Sequence, residues 1–126
     1  MPDIKSLLIV FAGSGFGGML RYCMQYWLTA KSENSFPAGT FAVNIIGCFC
    51  IGVVYGLAAK YQWLPEWRLA LATGFCGGFT TFSAFAAENV MLMRNGNYTT
   101  AVLYILLSVI LGIACTFAGI SFFKHP

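Results

Sequence analysis

The stretch TGFCGGFTTFSAF, residues 73–85, decides how the fold of this chain is interpreted. It lies in the middle of a long apolar segment, where a membrane-spanning helix is expected to continue without interruption. It contains three glycines, then two threonines and a serine. Glycine pairs and clustered hydroxyl side chains are poor residues for a helix interior. The stretch therefore predicts a break in the helix near residues 77–83.

A break at this depth restricts what surrounds it. Backbone groups that leave a helix cannot face lipid, because each unsatisfied group costs several kcal/mol. Broken helices at the membrane midplane are a common way to build ion sites, and the end of the first half-helix presents carbonyl oxygens that suit a cation. A simple glycine kink is the alternative. The clustering of glycine, threonine and serine favours the ion site.

The rest of the chain has the composition of a membrane protein. Of its 126 residues, 59% are hydrophobic and 9% are charged, whereas about a quarter are charged in an average soluble domain. Four stretches reach the roughly 20 apolar residues that a spanning helix needs: residues 4–28, 39–59, 67–93 and 99–123. The sequence predicts one all-α integral membrane domain over residues 1–126.

The net charge of +3 is almost evenly divided between the two sides of such a domain. Basic residues on the side of both termini are Lys5, Lys60, Arg68 and Lys124. Those on or near the other side are Arg21, Lys31 and Arg94. The positive-inside rule therefore gives no firm orientation. Either a partner fixes the topology or the protein inserts both ways, which would permit an antiparallel homodimer.

Motifs of soluble enzymes are missing or out of context. Residues 13–18, GSGFGG, match the dinucleotide pattern G-x-G-x-x-G with Glu33 at the spacing of a ribose-binding acid, but no strand precedes them. In a membrane span, Gly13 and Gly17 are spaced for close helix packing instead. The five cysteines form no C-x-x-C pair, which favours packing roles over zinc or redox chemistry. We predict neither an enzyme nor a nucleotide or nucleic-acid partner.

Three phenylalanines follow the glycines at an i, i+3 spacing: Phe79, Phe82 and Phe85. This spacing predicts that they lie along one face of the second half-helix. Such a stripe often only packs against neighbouring helices. Alternatively, the ring edges, which carry partial positive charge, contact a small anion. The pattern alone does not distinguish these interpretations.

Polar residues in the other spans allow two interpretations each. The amide of Asn44 can bond between helices or donate to an anion, and Arg21 can reach the interface or hold an electropositive vestibule. Tyr104, Ser108 and Thr116, with Gly112 between the last two, form a stripe that suits a polar pathway or bonds only its own helix. Glu88 is the one acidic residue well inside a span, and its role stays open.

Three motifs resemble the CrcB/Fluc family of small fluoride channels. GGFTTFSAF, residues 77–85, resembles the family motif G-G-x-T-T-F-S-T-F, and PAGTFAVN, residues 37–44, resembles P-x-G-T-x-x-x-N. The glycine-rich start leading to Arg21 is similar to the family's opening element. The sequence departs from the family at two positions. Ala84 stands in place of a frequent threonine, and Gly112 stands in place of a frequent serine of the polar pathway.

The resemblance implies a dual-topology antiparallel homodimer with two fluoride pores and a central structural sodium ion. Fluoride would leave passively and electrogenically across a bacterial-type cytoplasmic (inner) membrane, which gives fluoride resistance. Phe82 and Phe85 would contact the ion by their ring edges, Asn44 would donate a hydrogen bond, and Arg21 would line a vestibule. Main-chain carbonyls of Gly77 and Thr80 would hold the sodium. The remaining pathway residues would be Thr81, Ser83, Tyr104, Ser108 and Thr116.

Two other functions compete with this one. A small proton-coupled multidrug exporter also has four spans, but it needs a membrane-embedded carboxylate, typically on the first span. The first span contains no acidic residue beyond Asp3 at its entrance. A non-transporting subunit of a membrane complex would not need a clustered break and polar positions at depth. The missing carboxylate argues against the exporter, and the clustered break with its polar positions argues against the non-transporting subunit. Both observations favour the channel.

Overall fold

The computed structural model describes residues 1–31 and 36–124, and all regular structure in this part of the chain is helical. The helices are α1 (Ile4–Lys31), α2 (Ala38–Tyr61), α3 (Pro65–Arg68), α4 (Gly77–Phe79), α5 (Phe82–Arg94) and α6 (Tyr98–Lys124). A π-helical stretch, Leu69–Cys76, joins α3 to α4. Four segments are long and apolar enough to cross a membrane: Ile4–Thr29, Ala38–Tyr61, Pro65–Arg94 and Tyr98–Phe123. The predicted all-α membrane fold is confirmed.

The third span is broken, as the sequence predicts, and the break is two residues long. Residues 65–79, here called the first half-helix, end at Phe79, and α5 forms the second half-helix. Thr80 and Thr81 between them are extended, with φ/ψ of −92°/159° and −149°/116°. The Thr80 hydroxyl donates to the Cys76 carbonyl at 3.0 Å, and the Thr81 hydroxyl accepts from the Ala84 amide at 3.2 Å. The two threonines therefore cap the two half-helices.

Glycines bring α1 directly against the first half-helix. A Cβ on Gly13 would lie 2.6 Å from the Ala70 carbonyl oxygen, and one on Gly17 would overlap the Phe75 carbonyl. Contact at this distance is available only to residues without a side chain. Gly13 and Gly17 therefore serve helix packing, as their spacing predicts. The π-helical stretch lies in this contact region and was not predicted.

A second glycine contact joins α2 to α6. A Cβ on Gly56 would lie 3.0 Å from the Ile120 carbonyl oxygen, and one on Gly119 would lie 2.5 Å from that of Phe49. A small apolar core forms beside this helix pair. It contains the fully buried Tyr104 together with Ala101 and Leu92, and the rings of Phe36, Phe41 and Phe85 pack against it. This core positions α5 against α6 just beyond the break.

Candidate functional site

A cavity of about 380 Å³, here called the break cavity, lies against the interruption of the third span. None of the described residues that line it is charged. Its walls come from α2, both half-helices, the break and α6. The lining residues are Asn44, Gly47, Cys48, Ile51, Ala72, Cys76, Gly77, Thr80, Thr81, Phe82, Phe85, Ser108 and Val109. The fold thus brings together seven of the residues predicted for the pore or the sodium site: Asn44, Gly77, Thr80, Thr81, Phe82, Phe85 and Ser108.

Asn44 holds the break through two hydrogen bonds to one residue. Its Nδ2 donates to the Thr81 carbonyl oxygen at 3.0 Å, and its Oδ1 accepts the Thr81 amide proton at 2.8 Å. The backbone groups that the break frees at Thr81 are therefore satisfied by a side chain of α2. Because a carboxamide carries two N–H donors, one N–H of Asn44 remains for a further acceptor. Both interpretations of Asn44 that the sequence left open are compatible with this geometry.

Carbonyl oxygens at the end of the first half-helix fit a small cation. In a continuous helix the Thr81 amide would bond the Gly77 carbonyl, but here it donates to Asn44 instead. The Thr80 carbonyl belongs to an extended residue and has left the helical ladder. Both residues line the break cavity. Neutral oxygen ligands of this kind suit a hard cation such as sodium, so these two residues fit the ion that the resemblance implies.

The phenylalanine stripe is split by the break, which corrects the prediction that all three rings share one face of the second half-helix. Phe79 ends the first half-helix, is 2% exposed and stacks on Phe75 with ring centroids 5.9 Å apart. The i, i+3 relation is lost because Thr80 and Thr81 are extended. Only Phe82 and Phe85 line the break cavity.

The two cavity phenylalanines have different surroundings. Phe82 is 80% exposed in the isolated chain. Phe85 lies 5.8 Å from it between ring centroids, at an interplanar angle of 53°. Phe85 also packs edge-on against Tyr104, with centroids 4.9 Å apart at 76°. Phe85 is therefore fixed by contacts within the chain, whereas the ring of Phe82 is available for further contacts.

The predicted polar stripe of α6 is only partly shared: Ser108, Gly112 and Thr116 line one groove, whereas Tyr104 lies apart from it. Ser108 lines the break cavity, and its Oγ is buried without a hydrogen-bond partner among the described residues. Thr116 lies beside a separate cavity of about 430 Å³, here called the α6 groove, and bonds the carbonyls of Cys48 at 3.1 Å and Gly112 at 2.9 Å. The groove is lined by Cys48, Ser108, Val109, Gly112, Ile113, Thr116, Phe117 and Ile120. Tyr104 lines neither cavity.

Tyr104 instead belongs to a hydrogen-bond chain that ends at Glu88. The Tyr104 hydroxyl donates to Glu88 Oε1 at 2.9 Å, and the Thr40 hydroxyl donates to Oε2 at 2.7 Å. Thr40 in turn accepts from Gln25 Nε2 at 3.0 Å. Every donor in this chain points toward the carboxylate, which is therefore satisfied without a direct ion pair. The chain gives Glu88, whose role the sequence left open, a structural position between α2 and α6.

Arg21 begins the same chain and bonds the first half-helix. Its Nε donates to the Gly78 carbonyl at 3.0 Å, and a guanidinium N–H donates to Gln25 Oε1 at 3.4 Å. A cation beside the last carbonyls of a helix is stabilised by the helix dipole. Arg21 therefore bonds the last turn of the first half-helix at Gly78, two residues before the break.

Two residues of this series of hydrogen bonds, Gln25 and Thr40, were not predicted from the sequence. Gln25 lies four residues after Arg21 on α1, a spacing that places both side chains on one face. Thr40 is 2% exposed. It belongs to the motif at residues 37–44, but the motif alone assigned it no role. Ser83, by contrast, was assigned to the pathway but is exposed, with its hydroxyl 3.3 Å from that of Thr81.

Comparison with known proteins gives consistent matches over nearly the whole chain. A family model described as "CrcB-like protein, Camphor Resistance (CrcB)" matches residues 8–120. A protein of Gloeothece citriformis named "Fluoride-specific ion channel FluC" is 48% identical over 119 residues, covering 94% of this chain and 97% of the relative. A protein of Leptospira interrogans with the same name is 43% identical over 122 residues, covering 96% of each. These names describe a channel and not an enzyme.

Proposed function

Because this chain belongs to the CrcB family, we propose that it is a fluoride-selective ion channel of the cytoplasmic membrane, which gives passive, electrogenic export and fluoride resistance. The observation that carries the proposal is the break cavity. It places Phe82, Phe85, Asn44 and Ser108 around one space whose described lining residues carry no charge. The names of the relatives agree with this function.

The chemistry of the break cavity suits a small, strongly hydrated anion. The free N–H of Asn44 and the hydroxyl of Ser108 can donate to the ion, and the ring edges of Phe82 and Phe85 carry partial positive charge. Together these groups replace part of the water that the ion loses. Because none of the described residues around the cavity is cationic, the ion is not held tightly and leaves again, as conduction requires.

We place two pores in an antiparallel homodimer, since one chain leaves the site open. Phe82 is 80% exposed, and Gly77 is also exposed at the cavity wall. The near balance of basic residues between the two sides of the membrane permits insertion in both orientations. A second copy would cover these surfaces and complete each pore.

The carbonyls of Gly77 and Thr80 are the groups that would hold a structural sodium ion in this dimer. The ion would offset the partial negative charge of the broken helix ends, which Arg21 offsets only at Gly78. Gly77 and Thr80 supply neutral carbonyl oxygens, and none of the described residues that line the break cavity has a carboxylate.

A proton-coupled drug exporter is not favoured by the geometry. Such a protein needs its carboxylate in the substrate cavity. Glu88 lines neither the break cavity nor the α6 groove, and both of its oxygens accept hydrogen bonds from buried hydroxyls. Its carboxylate is therefore not placed to exchange protons with a substrate.

The test of the proposed function is ion efflux from proteoliposomes that contain the purified protein, followed with a fluoride-selective electrode. We expect rapid fluoride release that needs a potassium ionophore for charge balance, with little release in a parallel chloride experiment. Dependence on the ionophore identifies electrogenic transport. Absence of fluoride release from folded, reconstituted protein would contradict the channel and favour proton-coupled drug transport.

The dimer and its sodium site are tested by Gly77→Ala. Gly77 has helical φ/ψ of −62° and −38°, and a Cβ there would lie no closer than 3.8 Å to another atom of the protomer, the Ala72 carbonyl oxygen. The protomer therefore accepts the methyl group, whereas a sodium ion and a second copy at this surface would be crowded by it. We expect the variant to be folded but largely monomeric by light scattering in detergent.

The matched control is the wild-type protein with sodium replaced by a large organic cation, which should weaken the dimer in the same direction. An unchanged oligomer with unchanged transport in Gly77→Ala would remove Gly77 from the proposed sodium site.

A further inference from the structure

The thiol of Cys48 occupies the place of a side chain that α6 lacks. Gly112 interrupts the polar stripe between Ser108 and Thr116. A Cβ built on Gly112 would lie 3.4 Å from Cys48 Sγ, and no other atom comes within 4 Å of it outside its own helix turn. The sulfur of α2 therefore fills the space toward which a residue 112 side chain would point.

Cys48 also lies where the two cavities meet. It lines the break cavity with Asn44 and the phenylalanines, and it lines the α6 groove with Gly112 and Thr116. Ser108 is shared by both cavities in the same way. Val109 also lines both cavities, so the two cavities adjoin at Cys48, Ser108 and Val109.

Two side-chain groups at this junction, the Ser108 hydroxyl and the Cys48 thiol, have no hydrogen-bond partner among the described residues. Ser108 Oγ is buried and has no hydrogen-bond partner among the described residues. The Cys48 carbonyl oxygen accepts from Thr116 Oγ1 at 3.1 Å. Its thiol makes no hydrogen bond among the described residues and can donate to another acceptor. A buried hydroxyl without a partner is costly unless something else bonds it.

We propose that the Cys48 thiol replaces the hydroxyl missing at Gly112 and forms, with Ser108 Oγ, a site that donates hydrogen bonds to the anion between the break cavity and the α6 groove. The inference rests on the proposed function and adds a residue to its pathway. A thiol is a weaker donor than a hydroxyl. The site therefore contacts the passing ion without holding it, and the pathway remains continuous despite the glycine in α6.

The test is a set of substitutions that separates donation from space filling, each read as the initial fluoride efflux rate from proteoliposomes. Cys48→Ala removes the donor and should lower the rate roughly tenfold, the effect of about one lost hydrogen bond. Cys48→Ala/Gly112→Ser places a hydroxyl in the space that the sulfur has left and should restore most of the rate. Cys48→Ala/Gly112→Ala fills the same space with a methyl group and should not. Cys50→Ala, two residues along α2 and outside both cavities, should conduct normally.

Two results would overturn the inference. One is normal efflux in Cys48→Ala, and the other is equal recovery in both double variants, which would make the sulfur a space filler. If wild-type protein conducts and Cys48→Ala conducts equally, only this inference fails. If the wild-type protein does not conduct, the proposed function fails and the inference fails with it.

A second experiment covers the case in which Cys48→Ala does not fold. Methylmercury is applied to reconstituted channels that carry Cys76→Ala, because Cys76 also lines the break cavity. We expect the reagent to block the channel with Cys48 and to spare the one with Cys48→Ser, whose hydroxyl keeps the donor. Block of both channels, or of neither, contradicts an ion pathway along the thiol.

Discussion

Phe82→Ile and Phe85→Ile are each expected to reduce fluoride efflux to the level of protein-free liposomes while the protein remains folded. Isoleucine keeps an apolar side chain of similar bulk but has no ring edge with partial positive charge. In the uncharged break cavity, the remaining donors, Asn44 and Ser108, replace only part of the water that the ion loses. The measurement is the initial efflux rate beside a chromatographic profile of the same preparation.

The chain offers a matched control for this substitution. Phe11 on α1 is 78% exposed, close to the 80% of Phe82, and it lines neither cavity. Phe11→Ile should therefore conduct normally. Phe85→Ile removes the edge-on contact with Tyr104 and should also lower stability by about 1 kcal/mol. Normal efflux in both pore variants would refute their assignment, and loss of efflux in Phe11→Ile would show that the effect is not specific to the cavity.

Gly17→Ala is expected to cause the largest loss of stability among single methyl additions to α1. The new Cβ would overlap the Phe75 carbonyl and lie 2.9 Å from the Phe79 amide nitrogen. Both are backbone atoms of the first half-helix, so they cannot rotate away as a flexible side chain can. Overpacking of this kind costs about 1–3 kcal/mol or more. The melting temperature in detergent should fall markedly, with a lower yield of folded protein.

Gly15→Ala is the control for Gly17→Ala, since it adds the same methyl group to the same helix two residues earlier. No atom lies within 4 Å of a Cβ built on Gly15. Alanine is the better helix former by up to about 1 kcal/mol, so this variant should melt at or slightly above the wild-type temperature. Equal destabilisation by both substitutions would contradict the close contact of α1 with the third span.

The features that were predictable from the sequence depend on residues close together in the chain. The break follows from the glycines, threonines and serine of residues 73–85, which disfavour a helix wherever they stand. The close approach of α1 follows from the spacing of Gly13 and Gly17. The four spans follow from hydrophobic length alone. In each case the physical cause is contained in one segment.

Contacts between distant segments were not predictable in this way. Asn44 and Thr81 are 37 residues apart. Neither segment alone indicates that the side-chain amide of Asn44 bonds the backbone of Thr81. The donors to Glu88 come from α2 and α6, so its environment depends on the packing of three elements. Phe79 was placed on the wrong half-helix because the i, i+3 rule holds only within a continuous helix. Cys48 was interpreted as packing, since its position beside Gly112 is a property of the fold.

The pairing of Asn44 with Thr81 has a consequence for how the protein is made. Ribosomal synthesis delivers α2 to the membrane before the third span, so the side chain that satisfies the break is already in place when the interrupted segment arrives. A third span that entered lipid alone would have to remain a continuous helix or leave the Thr81 amide and carbonyl without partners, at several kcal/mol for each group. Insertion of the second span before the third therefore allows the break to form without unpaired backbone groups at Thr81.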